Sequence, residues 1–117
     1  MFAMFFKKKK IMEFKQYFWY NYFVSKCGVV KNNKGQILTP FKKNGYLCLE
    51  LYLDKKKTCI KVHRIVAIVH KPNIIFPMLT VNHLDGNKLN NHIDNLEWCT
   101  ASENTKHYHK ELKKLKL

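Results

Sequence analysis

The sequence is poor in acidic residues, in arginine and in glycine. Its 8 Asp+Glu residues face 22 Lys+Arg residues, which gives a formal net charge of +14 over 117 residues, and Arg64 is the only arginine. The shortage of acid excludes a disordered acidic chain, and 4 glycines exclude a collagen-like chain. A hydrophobic fraction of 46% suits one small domain or two very small ones. The positive charge makes a polyanion the first partner to consider.

The chain also has no cysteine pair at zinc-knuckle spacing. Its 4 cysteines, Cys27, Cys48, Cys59 and Cys99, are scattered and include no CxxC pair. This pattern disfavours a zinc site and a disulfide-dense miniprotein, and it favours a reduced protein that is intracellular and not secreted. No apolar run approaches the ~20 residues of a membrane-spanning helix, so no membrane is expected as a partner.

The first residues combine phenylalanine with a run of lysine. Phe2, Phe5 and Phe6 precede Lys7–Lys10, whereas a secretory signal has its charge before the apolar run. Residues 1–16 are therefore predicted to form a basic extension. Two interpretations stay open at this point, an arm that binds phosphates and a frayed terminus.

Residues 17–61 are predicted to form a small antiparallel β-sheet domain. Turn signals recur at short spacing between short apolar runs. Asn44-Gly45 between two such runs is a good hairpin signal. Leucines alternate with other residues over Tyr46–Leu53, and this period of two predicts a strand with its leucines toward the core.

The remainder, 62–117, is predicted to begin with a connecting helix. The apolar residues of KVHRIVAIVHKP recur at helical spacing, and Pro72 is placed to end the helix. Together with the preceding sheet, this helix makes the predicted fold class α+β.

A strand, a long polar loop, a second strand and a helix are predicted to follow. Leu79–His83 and Leu96–Cys99 have the composition of short strands, with turn and polar residues between them. Thr100 and Glu103 form a capping box, which predicts a helix over about 101–114.

Three polar residues of this region are predicted to meet at one point. His83 ends the first strand, Asn82 precedes it, and Asn104 lies in the first turn of the following helix. Amide oxygens bind hard divalent cations such as Mg²⁺, and a histidine takes a proton from water near neutral pH. A metal and a base beside a phosphate make a phosphodiester hydrolase.

At these residues the sequence resembles the HNH nucleases, also called ββα-metal or His-Me finger nucleases. It is most similar to the intron-type homing endonuclease branch of phages and large viruses. The stretches that carry the resemblance are VNHLDGNKLNN (81–91), NLEWCT (95–100) and SEN (102–104). Upstream, VHRIVA (62–67) resembles the helix before the motif, and segments of the predicted sheet resemble the small DNA-contacting N-terminal domain of that branch.

The resemblance implies a metal-dependent DNA endonuclease. His83 would be the general base, and Asn82 and Asn104 would hold one Mg²⁺ or Mn²⁺ ion. Asn95, the middle letter of the motif, would brace the loop and orient His83. The implied partner is double-stranded DNA, nicked by a monomer inside a virus- or phage-infected cell to leave 5′-phosphate and 3′-hydroxyl ends.

One departure from the family affects the expected metal. Both expected ligands are neutral amides, whereas many relatives have an aspartate in place of Asn82. The DNA phosphates must then supply the negative charge, so we expect weak metal binding without DNA. The alternative function is a DNA-binding module of the same fold that no longer cleaves.

The positive charge predicts salt-sensitive binding to DNA. Lysine contacts to phosphates position a protein without reading sequence. Base readout, if present, is expected from the small sheet around 42–52. The residues expected to contact DNA are Lys42, Lys43, Lys55, Lys56, Lys57, Arg64, Lys88 and Lys106.

Overall fold

The computed structural model of the chain describes residues 13–72 and 79–100. Within these ranges the chain forms eight short strands, one α-helix and one 3₁₀ turn. In chain order they are β1 (Phe14–Gln16), β2 (Tyr22–Ser25), β3 (Val30–Asn32), β4 (Phe41–Lys43), β5 (Tyr46–Leu53), β6 (Lys56–Lys61), α1 (Val62–His70), β7 (Thr80–His83), the 3₁₀ turn (Ile93–Asn95) and β8 (Leu96–Cys99).

The strands form three antiparallel sheets. The first has the order β1-β2-β3, the second has the order β4-β5-β6, and the third is the hairpin of β7 and β8. The α+β fold class predicted from the sequence is confirmed. The predicted single sheet is in fact two three-stranded sheets, because the chain between β3 and β4 pairs only through one isolated bridge, Lys31 with Ile37.

The turn between β4 and β5 has the conformation that its two residues favour. Asn44 and Gly45 both have positive φ, at 55° and 83°. Two left-handed residues in succession match the twist of a two-residue hairpin, and asparagine and glycine adopt this conformation most readily. The predicted hairpin is therefore present, and it places Tyr46 immediately after the turn.

One hydrophobic core joins the sheets to the helix. Fully buried members come from the first sheet (Val24), the second sheet (Leu51), the helix (Ile65) and β8 (Leu96), each at 0% exposure. The predicted connecting helix is present as α1, and its apolar side supplies the largest share of the core. Because α1 packs against β2, β5, β7 and β8, it fixes the third sheet against the first two.

Several sequence-based expectations lie outside the described residues. These include residues 1–12 of the predicted extension, the helix predicted over 101–114, and the site residues Asn104 and Lys106. Of the described ranges, no helix is long and apolar enough to cross a bilayer. All four cysteines fall inside these ranges, and no disulfide joins any two of them.

Candidate active site

The β7–β8 hairpin presents His83 at its end. His83 is the last residue of β7 and lies opposite Leu96, the first residue of β8. Its imidazole is only 5% exposed. The loop between the two strands folds back over it, since Gly86 N donates to His83 O and Leu84 N donates to Asn95 O. The histidine is therefore held at the junction of strand and loop.

The side-chain hydrogen bond of His83 goes to Asn91. His83 Nε2 and Asn91 Oδ1 are 2.9 Å apart, and both residues are buried. An amide oxygen only accepts, so in this arrangement Nε2 carries the ring proton and Nδ1 keeps its lone pair. This tautomer gives Nδ1 the chemistry of a base.

Asn95 braces the loop instead of contacting His83. Its Nδ2 donates to Asp85 Oδ1 and to Asn90 O, both at 2.9 Å, and its Oδ1 accepts from Asp85 N. The side-chain hydrogen bonds of Asn95 therefore stay within the loop, and the side chain hydrogen-bonded to His83 is that of Asn91. The reason is position: Asn95 ends the 3₁₀ turn and reaches across the loop to Asp85.

Asp85 organises the same loop. Its carboxylate accepts from Asn90 Nδ2, Asn87 N and Asn95 Nδ2. The hydrogen bond from Asn90 is the main cause that lowers the pKa of Asp85 below its ordinary value. A carboxylate with three donors from its own loop acts as the loop's anchor, as its Asp-Gly turn position indicates.

The turn after β2 holds Asn91 from the other side. Ile93 N donates to Lys26 O at 2.8 Å. Gly28 has φ +95°, and a Cβ built there would lie 3.3 Å from Asn91 Cβ and 3.1 Å from Val62 Cγ1. A side chain at position 28 would therefore displace either the helix or the residue that bonds His83. The first sheet thus supports the orientation of the candidate base.

Asn82 offers an oxygen beside His83. Asn82 is 6% exposed and pairs across the hairpin with Glu97. Its Nδ2 donates to Glu97 Oε1 at 3.3 Å. Because a carboxylate accepts and does not donate, this contact takes the amino end of the amide and leaves Oδ1 for another ligand.

The oxygens of Asn82 and Glu97 suit a hard divalent ion that is also bound by negatively charged oxygens of another molecule. An amide oxygen and a nearby carboxylate are oxygen donors of the kind Mg²⁺ prefers. Over 13–72 and 79–100 there is no group of three or more His, Cys, Asp or Glu side chains able to hold a metal. Asn104, the other metal ligand that the resemblance implies, lies outside the described residues.

Three lysines gather around Tyr46, close to His83. The Nζ atoms of Lys61 and Lys88 lie 4.5 and 4.8 Å from the centre of the Tyr46 ring, and Lys43 is its cross-strand partner. The Tyr46 and His83 rings are 6.1 Å apart. We call Lys43, Tyr46, Lys61 and Lys88 the lysine–tyrosine patch. It concentrates positive charge beside the candidate base.

The other described residues that were predicted to contact DNA are not members of the lysine–tyrosine patch. Lys55–Lys57 are exposed at the far end of the β5–β6 hairpin, about 23 Å from Tyr46 at a rise of ~3.3 Å per residue. Lys57 pairs with Glu50 at 3.3 Å. Lys42 is exposed on β4 next to the patch. Arg64 donates to Leu79 O and stacks over Trp98, so its guanidinium serves the fold, and its DNA contact stays a prediction.

Sequence reasoning overlooked three contributors to this site: the hydrogen bond that Asn91 accepts, the carboxylate of Glu97 and the charge of Lys61. Glu97 lies in the stretch NLEW, which is part of the motif, but the local sequence does not predict its contact with Asn82. Lys61 is one residue before the helix and lacks any local signal. Only the packing of three sheets around α1 brings these residues together.

A two-stranded hairpin that ends in a buried histidine, with an asparagine beside it and an asparagine-rich loop around it, is the ββ part of the ββα-metal, or HNH, nuclease arrangement. Comparison with known proteins agrees with this class. Residues 61–106 match the HNH endonuclease family. An uncharacterized HNH endonuclease of Acanthamoeba polyphaga mimivirus is 39% identical over 90 residues, which cover 74% of this chain and 26% of the relative.

Two further matches are a phage endonuclease and a homing endonuclease of known structure. The H-N-H endonuclease F-TflI of Escherichia phage T5 is 29% identical over 93 residues, covering 77% of this chain and 48% of the phage protein. The solved structure of the HNH homing endonuclease I-HmuI, described for DNA binding and cleavage, matches with a TM-score of 0.75 and 35% identity. That match covers 85% of this chain and 59% of I-HmuI.

These matches confirm the resemblance inferred from the sequence: residues 61–106 match the HNH endonuclease family, and the fold matches that of I-HmuI. The relatives are described as endonucleases, the enzyme class that the resemblance implies. The chain spans about a quarter of the mimivirus relative and about half of the phage T5 protein.

Proposed function

We propose that this chain is a divalent-metal-dependent DNA endonuclease of the homing type that nicks double-stranded DNA as a monomer, with His83 as general base. The observation that carries the proposal is the buried pair of His83 and Asn91. With Nε2 donating to Asn91 Oδ1 at 2.9 Å, a neutral His83 ring has its lone pair on Nδ1, and the preceding Asn82 uses its Nδ2 on Glu97, which leaves its Oδ1 for a cation. A base and a cation ligand on adjacent residues of one strand suit the hydrolysis of a phosphodiester.

In the proposed reaction a water oxygen attacks the phosphorus while His83 Nδ1 takes one of its protons. The bond between phosphorus and the 3′ oxygen breaks, and that oxygen gains a proton from solvent. The products are a 5′-phosphate and a 3′-hydroxyl. Asn91 holds the tautomer, and Asn95 and Asp85 hold the loop that carries Asn91.

Asn82 and Asn104 would hold one Mg²⁺ or Mn²⁺ ion. When bound, such an ion supplies positive charge to the phosphate oxygens and to the leaving oxygen. Glu97 supports Asn82 by accepting from its Nδ2. The contribution of this chain is to present an amide oxygen in a fixed orientation next to the base.

The lysine–tyrosine patch would contact the phosphates that flank the scissile bond. Lys61 and Lys88 lie beside Tyr46, whose ring approaches His83. Lysine ammonium groups bind phosphates electrostatically and release counterions, so DNA binding is expected to weaken with salt. A protein that cuts host or viral DNA in this way acts inside a cell, in keeping with the intracellular location expected from the cysteines.

The test is conversion of supercoiled plasmid to the nicked form with Mg²⁺ or Mn²⁺, and with EDTA as the metal-free control. We expect nicking by the wild-type chain and none by His83→Ala, with DNA binding in a gel shift unchanged. The matched control is His92→Asn, because His92 lies in the same loop and asparagine also caps a helical turn. That variant is expected to nick like the wild type.

The substrate should include the genomic region that flanks the gene, since a homing-type enzyme needs its own target. Cleavage by His83→Ala at the wild-type rate contradicts the role of His83. DNA binding without cleavage by either protein, on both substrates, replaces the nuclease with the second candidate, a DNA-binding module of the same fold. The neutral amide of Asn82 is the observation that favours this second candidate.

A further inference from the structure

Three rings from three different elements meet beside the candidate base. Tyr46 comes from β5, His63 from α1 and His83 from β7. The ring centres of His63 and His83 are 4.6 Å apart, and those of Tyr46 and His63 are 5.1 Å apart with an interplanar angle of 20°. We call these residues the three-ring cluster. His63 lies in contact with both other rings.

The ring of His63 is held by packing against two other rings. It is 6% exposed, and its Nδ1 is a buried nitrogen without a hydrogen-bond partner anywhere in the described part of the chain. Its ring lies against the rings of Tyr46 and His83. A buried polar ring of this kind is uncommon, because buried polar atoms are usually hydrogen-bonded.

One hydrogen bond leaves a ring free to swing. The hydrogen bond that His83 donates to Asn91 restrains a single nitrogen of the ring, and the imidazole plane can still rotate around that point. A second ring packed 4.6 Å away restrains the plane as well. The two contacts together fix where the lone pair of Nδ1 lies.

We infer that His63 is a positioning residue, which packs its ring against His83 and fixes the plane of the general base. The inference rests on the proposed function, since it assigns His83 that role. Burial lowers the pKa of His63, and His83, Lys61 and Arg64 lower it further, so its ring is neutral where it packs against His83. A neutral ring also offers its π face to the cation that His83 becomes when it takes a proton.

The first test compares steady-state nicking by His63→Ala and His63→Phe across a DNA titration that reaches saturation. Phenylalanine keeps a flat ring but has no nitrogen atoms. We expect His63→Ala to lose on the order of 10- to 100-fold in kcat, as a small misplacement of a catalytic group does, with KM unchanged. We expect His63→Phe to recover most of this loss.

His70→Ala is the matched control. His70 is the other histidine of α1, and its Nε2 donates to Val24 O, on the side of the first sheet. Removing it also weakens the helix but leaves the three-ring cluster intact. Thermal melts of all variants show that each is folded at the assay temperature, and His70→Ala is expected to keep the wild-type kcat.

A second readout does not depend on cleavage. The ¹⁵N shifts of the His83 imidazole report its tautomer, which we expect to be a single species in the wild type and in His63→Phe and a mixture in His63→Ala. A wild-type chain that fails to nick would remove the proposed function, while this spectrum would still decide the packing role.

Three results would overturn the inference. One is an unchanged kcat and tautomer in His63→Ala. Another is an equal loss in His63→Ala and His70→Ala, which would mean that helix stability alone is involved. The third is a loss in His63→Phe as large as in His63→Ala, which would assign the role to the ring nitrogens.

Discussion

Acidification is expected to destabilise this protein through His63. Burial lowers the pKa of His63 from 6.5 to about 3, with further lowering from His83, Lys61 and Arg64. The ring of Tyr46 also stacks on His63. The unfolded chain therefore binds a proton at His63 below pH 6.5, and the folded chain does not until about pH 3. Stability from this group is complete above pH 6.5 and falls as the pH drops through that window.

The size of the effect follows from the two pKa values. Each pH unit inside the window removes about 1.4 kcal/mol from the free energy of unfolding, so the loss between pH 7 and pH 4.5 is about 2.5 kcal/mol. That is a large fraction of the stability of a small domain, which is roughly 5–15 kcal/mol. Carboxylates such as Asp85 add an acid dependence of their own at lower pH, because the pKa of Asp85 is lowered.

Urea unfolding at pH 7 and pH 4.5 measures the difference. In His63→Phe the titrating ring is absent, so the loss of stability between the two pH values should be smaller than in the wild type by about 2.5 kcal/mol. Ile68→Val is the control, because it weakens the same helix by roughly 1 kcal/mol without removing an ionisable group. It should keep the wild-type pH dependence. Equal pH dependence in the wild type and in His63→Phe would refute the reasoning.

Four other predictions concern the site. Asn91→Ala should slow nicking on the order of 100-fold with unchanged DNA affinity, because it frees the His83 ring; wild-type kinetics in this variant would contradict the role. Gly28→Ala should lower the free energy of unfolding by about 1–3 kcal/mol in urea titrations, since its Cβ meets Val62 and Asn91 at a positive φ; unchanged stability would contradict the close packing. Lys88→Gln should reduce the slope of log affinity against log salt by about 1, while Lys34→Gln, at an exposed position in the turn after β3, should not; equal slopes in both would count against the lysine–tyrosine patch. Calorimetry with Mn²⁺ should show weak binding to the DNA-free chain and tighter binding with DNA; sub-micromolar affinity without DNA would contradict a site of neutral amides.

Local sequence signals determined much of the fold. Alternation over Tyr46–Leu53, the Asn44-Gly45 turn and the helical spacing after Lys61 each depend on neighbours within a few residues. The corresponding strand, turn and helix are present. The two strands of the β7–β8 hairpin were also predicted from local sequence, and they are present. His83 and Asn82 are candidates from the sequence alone, because they are neighbours at the end of β7.

The tertiary structure decided which side chains act together. The loop contains several asparagines, and nothing in the local sequence separates the one that bonds His83 from the one that braces the loop. Asn91 has the first role because the turn at Gly28 packs against it, and Asn95 has the second because Asp85 lies within its reach. Contacts between residues far apart in sequence depend on how the helices and strands pack, and the spacing of hydrophobic residues does not predict that packing.

The sequence by itself therefore determined the elements, the charge and the presence of a histidine and amide pair suited to phosphodiester chemistry. Only the tertiary structure placed His63 against His83 and gathered Lys61 and Lys88 around Tyr46. The physical reason is that secondary structure follows from backbone preferences and local hydrophobic spacing, whereas the site follows from the register and packing direction of three sheets on one helix.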